Sequence, residues 1–154
     1  MDTRAQDEGF APLDDGTVRR LMDVARDFST RAYVPYSQFP VGAAVLTADG
    51  SIVGGANIEN ASYPLTVCGE RTAIGTAAAM GHRDILAVAV YAPRATGTTP
   101  CGGCRQVMNE FKPDEGDLIV IVEDVDGPRQ VPLRMLLPDA FGPRDLDRAK
   151  ASRT

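Results

Sequence analysis

The chain has 154 residues, 44% hydrophobic and 24% charged, a composition that suits one globular domain with a sizeable core of its own. Its net charge is −5, Lys112 and Lys150 are its only lysines, and no basic run occurs, so the cationic footprint of a nucleic-acid binder is missing. No apolar run nears the roughly 20 residues that cross a bilayer, and the acidic, polar start MDTRAQDEGF does not read as a secretory signal, so neither nucleic acid nor a membrane is expected as a partner.

Residues 1–13 read as a flexible tail. Val18, Leu21, Met22, Ala25 and Phe28 then fall on one stripe at helical spacing, which predicts an amphipathic helix that buries this stripe as core. YVPYSQFP, with two prolines and three aromatic rings, is a loop. VGAAVLTADGSIVGGANIEN predicts a hairpin turning at Asp49-Gly50. After a loop over 60–67, TVCGERTAIGTAAAMG predicts a small, Ala-rich helix ended by Gly81. Its small apolar face suits close packing, including packing between subunits. DILAVAVYAP and DLIVIVED are apolar on both faces, as interior strands are. Between them RATGTTP is a loop and TTPCGGCRQVMNEF a helix. VPLRMLLPDAF predicts a short helix and a loop, and PRDLDRAKA a last helix. A hairpin followed by two helix–strand units implies an α/β protein, a three-layer α/β/α sandwich around one mixed sheet, as a single domain over 1–154.

Cys68, Cys101 and Cys104 are the three cysteines. An odd count without a signal argues against a disulfide framework and for a reducing, cytoplasmic setting, where free thiols serve metal or redox chemistry. Each cysteine stretch follows a loop and opens a helix, where the dipole and free N–H groups favour thiolate. Cys101 and Cys104 have the C-x-x-C spacing that lets two sulfurs reach one ion from a single turn. Cys68 stands 33 residues before Cys101, with one helix and one strand between, so the two helix starts can meet at one sheet edge. Three thiolates without an obvious fourth protein ligand describe an open zinc site, one Zn²⁺ per chain, with a position left for water.

Glu70, two residues from Cys68, is the candidate to carry that water's proton. Zinc with three thiolates has a formal charge of −1, so Arg71 and Arg105, each beside a site residue, are candidates to hydrogen-bond sulfur and restore Lewis acidity. His82, the only histidine, follows Gly81 at about 20 Å from Cys68 by helical rise and reads as a solvated turn residue. The rival readings are a redox dithiol and a zinc-binding interaction module. In either, Glu70 is a helix-start carboxylate and both arginines are surface charges.

The segments YVPYSQFPVGAAV, NIENASYP, CGERTA, PCGGCRQ and LLPDAFGP follow in this order. C-x-E followed by P-C-x-x-C resembles the zinc-dependent nucleoside and nucleobase deaminases. The whole set, over roughly Tyr33 to Pro143, is similar to the small cytidine deaminases. The resemblance implies a cytidine-deaminase-like fold. The implied reaction is hydrolysis of cytidine and deoxycytidine to uridine and deoxyuridine with release of ammonia, a step of pyrimidine salvage. It implies zinc on Cys68, Cys101 and Cys104, and Glu70 as the catalytic residue that moves a proton from water to N3 of cytosine and then to the leaving amino group. Asn57 and Glu59 would hydrogen-bond the ribose hydroxyls; an amide and a carboxylate together both donate and accept. Phe39 would pack on the pyrimidine. Backbone groups near Gly69 and at Ala61 or Tyr63 would complete the contacts to base and ribose. Phe141 would stack on the base from a neighbouring subunit of a homotetramer.

The alternative, purely structural roles are strand-end turn residues for Asn57 and Glu59 and core aromatics for Phe39 and Phe141. Gly69 departs from the Ala usual in the family, which puts the positions of Cys68 and Glu70, and the room for the base, in question. The deaminases of blasticidin S, a cytosine-nucleoside antibiotic, also resemble this chain through PCGGCRQ, but they lack the N-x-E pair that is intact here.

Overall fold

The structure, a computed structural model, describes residues 10–151. The first helix, α1 (Asp15–Ser29), starts where Asp14 accepts hydrogen bonds from the Thr17 N–H at 3.0 Å and the Thr17 hydroxyl at 2.7 Å. Its buried stripe is Val18, Leu21, Met22 and Ala25; Phe28 lies half-buried at its end, over Gly54. The hairpin is β1 (Gly42–Thr47) and β2 (Ile52–Ala56), turning at Gly50 with φ 88°. A short 3-10 turn (Tyr63–Leu65) precedes α2 (Gly69–Ala79). Then come β3 (Ile85–Tyr91), α3 (Gly102–Phe111), β4 (Ile119–Asp124), β5 (Gly127–Pro132), α4 (Leu133–Leu136) and α5 (Pro143–Ala151).

The described residues form a five-stranded mixed sheet in the order β2-β1-β3-β4-β5. β1 is antiparallel to both β2 and β3, β3 is parallel to β4, and β4 is antiparallel to β5. Side chains alternate between faces. Ala44, Leu46, Ala87, Ala89, Ile119 and Ile121 meet α1 on one face. Ala43, Val45, Val88, Val90, Val120 and Val122 meet Ala73, Ile74 and Ala77 of α2, Met108 of α3 and Leu133 of α4 on the other. This is the expected three-layer sandwich.

The sequence reading departs from the structure at two places. The sequence reading places no element over residues 127–130 and puts Val131 and Pro132 in the segment of a short helix and a loop, whereas the structure has β5 there, in a stretch that holds two prolines and a glycine. It forms nonetheless as an edge strand, where proline's missing donor costs little. Of the expected tail, residues 1–9 lie outside the described residues, but 10–13 are held in place. Leu13 exchanges two hydrogen bonds with the Gln130 amide, at 2.8 and 3.0 Å, and Phe10 and Leu13 pack on the α1-side core. Among the described residues no helix is long and apolar enough to cross a membrane.

Two glycines set how closely the helices lie on the sheet. A Cβ on Gly42 would overlap the Ala25 carbonyl of α1, and one on Gly55 would overlap the backbone of α2 at Ala73. Because β2 and β3 both flank β1 antiparallel, they run in the same direction. Their last residues, Ala56 and Tyr91, both pair with Gly42. The chain therefore leaves both strands at one edge, and each exit leads to a helix start.

Candidate metal centre and active site

That shared edge is where the cysteines come together. Cys68 is the N-cap of α2, Cys101 is the N-cap of α3, and Cys104 lies in the first turn of α3. Neither N-cap thiol caps its own helix, so both sulfurs are free to point elsewhere. Cys101 Sγ lies 3.4 Å from Cys104 Sγ and 3.9 Å from Cys68 Sγ, and all three sulfurs fall within 4.8 Å of one another. Zinc–sulfur bonds of about 2.3 Å in tetrahedral geometry set sulfurs about 3.8 Å apart. Spacing and an all-sulfur donor set both fit zinc. Cys104 is buried, Cys68 half-buried and Cys101 exposed, so the centre opens on the Cys101 side. His82 is not in this group; its Nδ1 lies 3.6 Å from Asp49 Oδ2.

The thiols interact strongly. Cys68 is held down to about 5, first by hydrogen bonding with Cys104, then by Cys101 and the nearby Arg71, against the opposing effect of burial. Cys104 is pushed up by the same contact with Cys68 and by burial. The helix N-terminus at Cys68 and the Arg71 charge beside it both favour thiolate there.

Glu70 is the second residue of α2 and only 4% exposed. Burial raises its carboxyl pKa, with the Cys68 charge adding to the rise, while its own backbone N–H, Cys104 and Arg71 oppose it. Such a carboxyl both accepts and releases a proton more readily near neutrality than a solvated one.

The two arginines part company. Arg71 Nη2 donates to the Thr66 carbonyl at 3.0 Å, its Nε is buried without a hydrogen-bond partner among the described residues, and its charge lowers the Cys68 pKa. Arg105 instead donates to the Pro100 carbonyl and the Leu136 carbonyl, both at 2.7 Å, and to Thr99 Oγ1 at 2.9 Å. It therefore ties the loop before Cys101 to α4, and the expected bond to sulfur is not among its contacts.

Next to the thiols lies the aromatic loop. Asn57 Nδ2 donates to the Phe39 carbonyl and its Oδ1 accepts from the Val41 N–H, both at 2.9 Å. Glu59 accepts from the Tyr36 N–H at 2.9 Å and from the Ser37 N–H at 3.2 Å. Its pKa is lowered, first by the Ser37 side chain. A cavity of about 260 Å³ opens here, lined by Tyr36, Ser37, Glu59, Tyr63 and Thr66. Phe39 is half-buried and Ala61 is exposed. Tyr63 is exposed, with its ring tilted against Tyr36 at 5.6 Å. Gly69 joins this loop to the thiols: a Cβ there would stand 3.0 Å from the Val41 carbonyl and 3.4 Å from the Asn57 nitrogen.

Phe141 lies on the loop between α4 and α5. The residue is 60% exposed, and its carbonyl is fastened to the flank of α3 by Gln106 and Asn109. Sequence reading missed Arg94, whose Nη1 donates at 2.6 Å to the carbonyl of Gln38. Gln38 has φ 52°, an unfavourable backbone conformation for a non-glycine residue. This bond joins the β3–α3 loop to the aromatic loop. No pattern within one sequence marks such a pair, because its partners come together only in the fold.

Comparison with known proteins agrees with the geometry. The family described as "Cytidine and deoxycytidylate deaminase zinc-binding region" matches residues 16–119. The chain is 50% identical over 117 residues to the cytidine deaminase of Halalkalibacterium halodurans, covering 75% of this chain and 87% of that protein. It is 43% identical over 133 residues to the cytidine deaminase of Sporosarcina psychrophila, covering 86% and 96%. Its fold is similar to the crystal structure of cytidine deaminase from Burkholderia pseudomallei, with a TM-score of 0.73 and 43% identity over 80% of this chain and 98% of that one. The Mycobacterium tuberculosis cytidine deaminase structure matches at a TM-score of 0.71 and 40% identity, over 84% and 99%.

Proposed function

Because the chain belongs to the cytidine and deoxycytidylate deaminase family, we propose that it hydrolyses cytidine and deoxycytidine to uridine and deoxyuridine with release of ammonia. The observation that carries this reading is the cluster of Cys68, Cys101 and Cys104 sulfurs beside the buried carboxyl of Glu70. Cys68, Cys101 and Cys104 hold zinc, which when bound supplies a Lewis acid that makes water nucleophilic at neutral pH.

The remaining chemistry belongs to the chain's own groups. Glu70 takes the proton released by the attacking water and places it on N3 of the cytosine ring; it then takes the second proton, from the new C4 hydroxyl, and delivers it to the departing amino group, so that the carbonyl forms as ammonia leaves. Its raised pKa suits both halves of that transfer. Arg71 offsets thiolate charge at Cys68. Asn57 and Glu59 shape the aromatic loop with part of their hydrogen-bonding capacity and keep the rest for ribose hydroxyls. Phe39 packs on the pyrimidine. Backbone groups at Gly69 and at Ala61 or Tyr63 meet base and ribose. Phe141, which is exposed within its own chain, stacks on the base in a neighbouring subunit of a homotetramer. We place the protein in the cytoplasm as a single domain that serves pyrimidine salvage.

Ultraviolet absorbance tests this directly. Cytidine incubated with the protein should lose its cytosine band, and a chelator should stop the loss. Glu70→Gln should keep one zinc per chain while the rate falls by orders of magnitude. Turnover of blasticidin S without turnover of cytidine, or thiol–disulfide exchange without zinc, would overturn the reading.

A further inference from the structure

The loop that carries Phe141 is held far more tightly than an exposed side chain requires. The Phe141 carbonyl accepts from Gln106 Nε2 at 2.9 Å and from Asn109 Nδ2 at 3.0 Å. Asn109 is only 5% exposed, a polar amide on the buried side of α3 next to Met108. Taking an amide out of water is unfavourable unless it is hydrogen-bonded, so this bond also determines where the loop must lie. The next residue completes the fit: a Cβ on Gly142 would stand 2.9 Å from Asn109 Nδ2, so a larger residue would press on the amide. Beyond it, the Gly142 N–H donates to Asp145 Oδ2 at 2.8 Å and the Asp145 N–H returns to the Gly142 carbonyl at 3.0 Å, which fixes the chain to the start of α5. Before it, Asp139 has φ 51°, in the left-handed region that non-glycine residues avoid.

A buried amide, a cradle glycine and a left-handed residue thus fix the backbone on both sides of a phenylalanine that is 60% exposed. The ring gains little burial within its own chain, although burying it would be favourable. Fixing the backbone while leaving the ring in the open is what presentation to another molecule requires.

We infer that Gln106, Asn109 and Gly142 are positioning residues for substrate binding. They act through Phe141 by holding its ring in the pose that meets the nucleoside base. This rests on the role proposed above for Phe141. The clamp has a further consequence. α3 opens at Cys101 and Cys104 and carries Gln106 and Asn109 one to two turns later. One rigid helix therefore sets both the metal centre of its own chain and the ring offered to the neighbouring site.

Gln106 is exposed, so Gln106→Ala removes one clamp bond without a cavity. Gly142→Ala reaches the same clamp by displacing Asn109. Each should raise KM for cytidine about 3- to 10-fold, with kcat and zinc content little changed. Because both act through the ring, neither should add to the effect of Phe141→Ala in a double-mutant cycle. Full additivity of Gln106→Ala with Phe141→Ala, or an unchanged KM in both single variants, would overturn the clamp alone. An unchanged KM in Phe141→Ala would overturn the clamp together with the ring's proposed contact to the base. If Gly142→Ala fails to fold, the Gln106→Ala cycle decides.

Discussion

At Gly69 the metal side of the site and the aromatic loop touch. The absent Cβ would stand 3.0 Å from a Val41 carbonyl that already accepts from the Asn57 N–H at 3.1 Å. Gly69→Ala gains helix propensity of under about 1 kcal/mol, but it presses on a backbone hydrogen bond that has little freedom to move. We expect the crowding to win. Zinc content should stay at one per chain and kcat/KM for cytidine should fall a few-fold; an Ala variant as fast as the parent would show that Val41 yields freely. The pairing of Cys68 and Glu70, and the C-x-x-C, were legible in the sequence because a helix start places them by local spacing alone. The two arginines were not separable that way, since each is next to a site residue. Arg71 points back along α2 toward Thr66 and Cys68, whereas Arg105 reaches Leu136, a partner 31 residues away in sequence.

Among the elements, the β1–β2 hairpin was legible from Asp49-Gly50, and the structure adds what stabilises the turn. Asp49 accepts from Thr47 Oγ1 at 2.6 Å and from the Ser51 N–H at 3.0 Å. The Thr47 hydroxyl foremost, then Ser51, hold its pKa at about 2 against an ordinary 3.8. A carboxyl with a depressed folded-state pKa stabilises the fold above its unfolded value and loses that contribution as pH falls through the folded value. Asp49→Asn should therefore lower Tm at pH 6, and the gap to the parent should narrow as the pH is taken from about 4 to 2. A gap that stays constant with pH would mean the turn does not depend on that charge. Gly42 governs a different junction, the seat of α1 on β1. Gly42→Ala would force a Cβ into the Ala25 carbonyl and should cost about 1–3 kcal/mol, read as a lower Tm. β5 escaped the sequence because strand propensity and edge pairing disagree there. Its prolines argue against a strand, yet its pairing from Asp124↔Gly127 to Ile119↔Pro132 is supplied by β4.

For the whole molecule, the question is whether each site is built from one chain or two. Chains with Glu70→Gln keep the ring and lack the proposed proton carrier; chains with Phe141→Ala keep that carboxyl and lack the ring. If Phe141 acts in a neighbour, co-assembling the two inactive or weakened variants should regenerate intact sites, about a quarter of the total for random mixing. Activity above the sum of the separately assembled parents is the expected result. Activity equal to that sum would place the ring in its own chain's site. The sequence by itself determined the chemistry: three thiols and a carboxyl at two helix starts, with the layer order of the sandwich, because helix starts, turn residues and apolar periodicity are local. Only the tertiary structure decided which arginine lies against Cys68, that Asn57 bonds the backbone at Phe39 and Val41, and that Phe141 is clamped yet open. Those contacts join segments far apart in the chain, and their geometry exists only once β2 and β3 end at the same edge of the sheet.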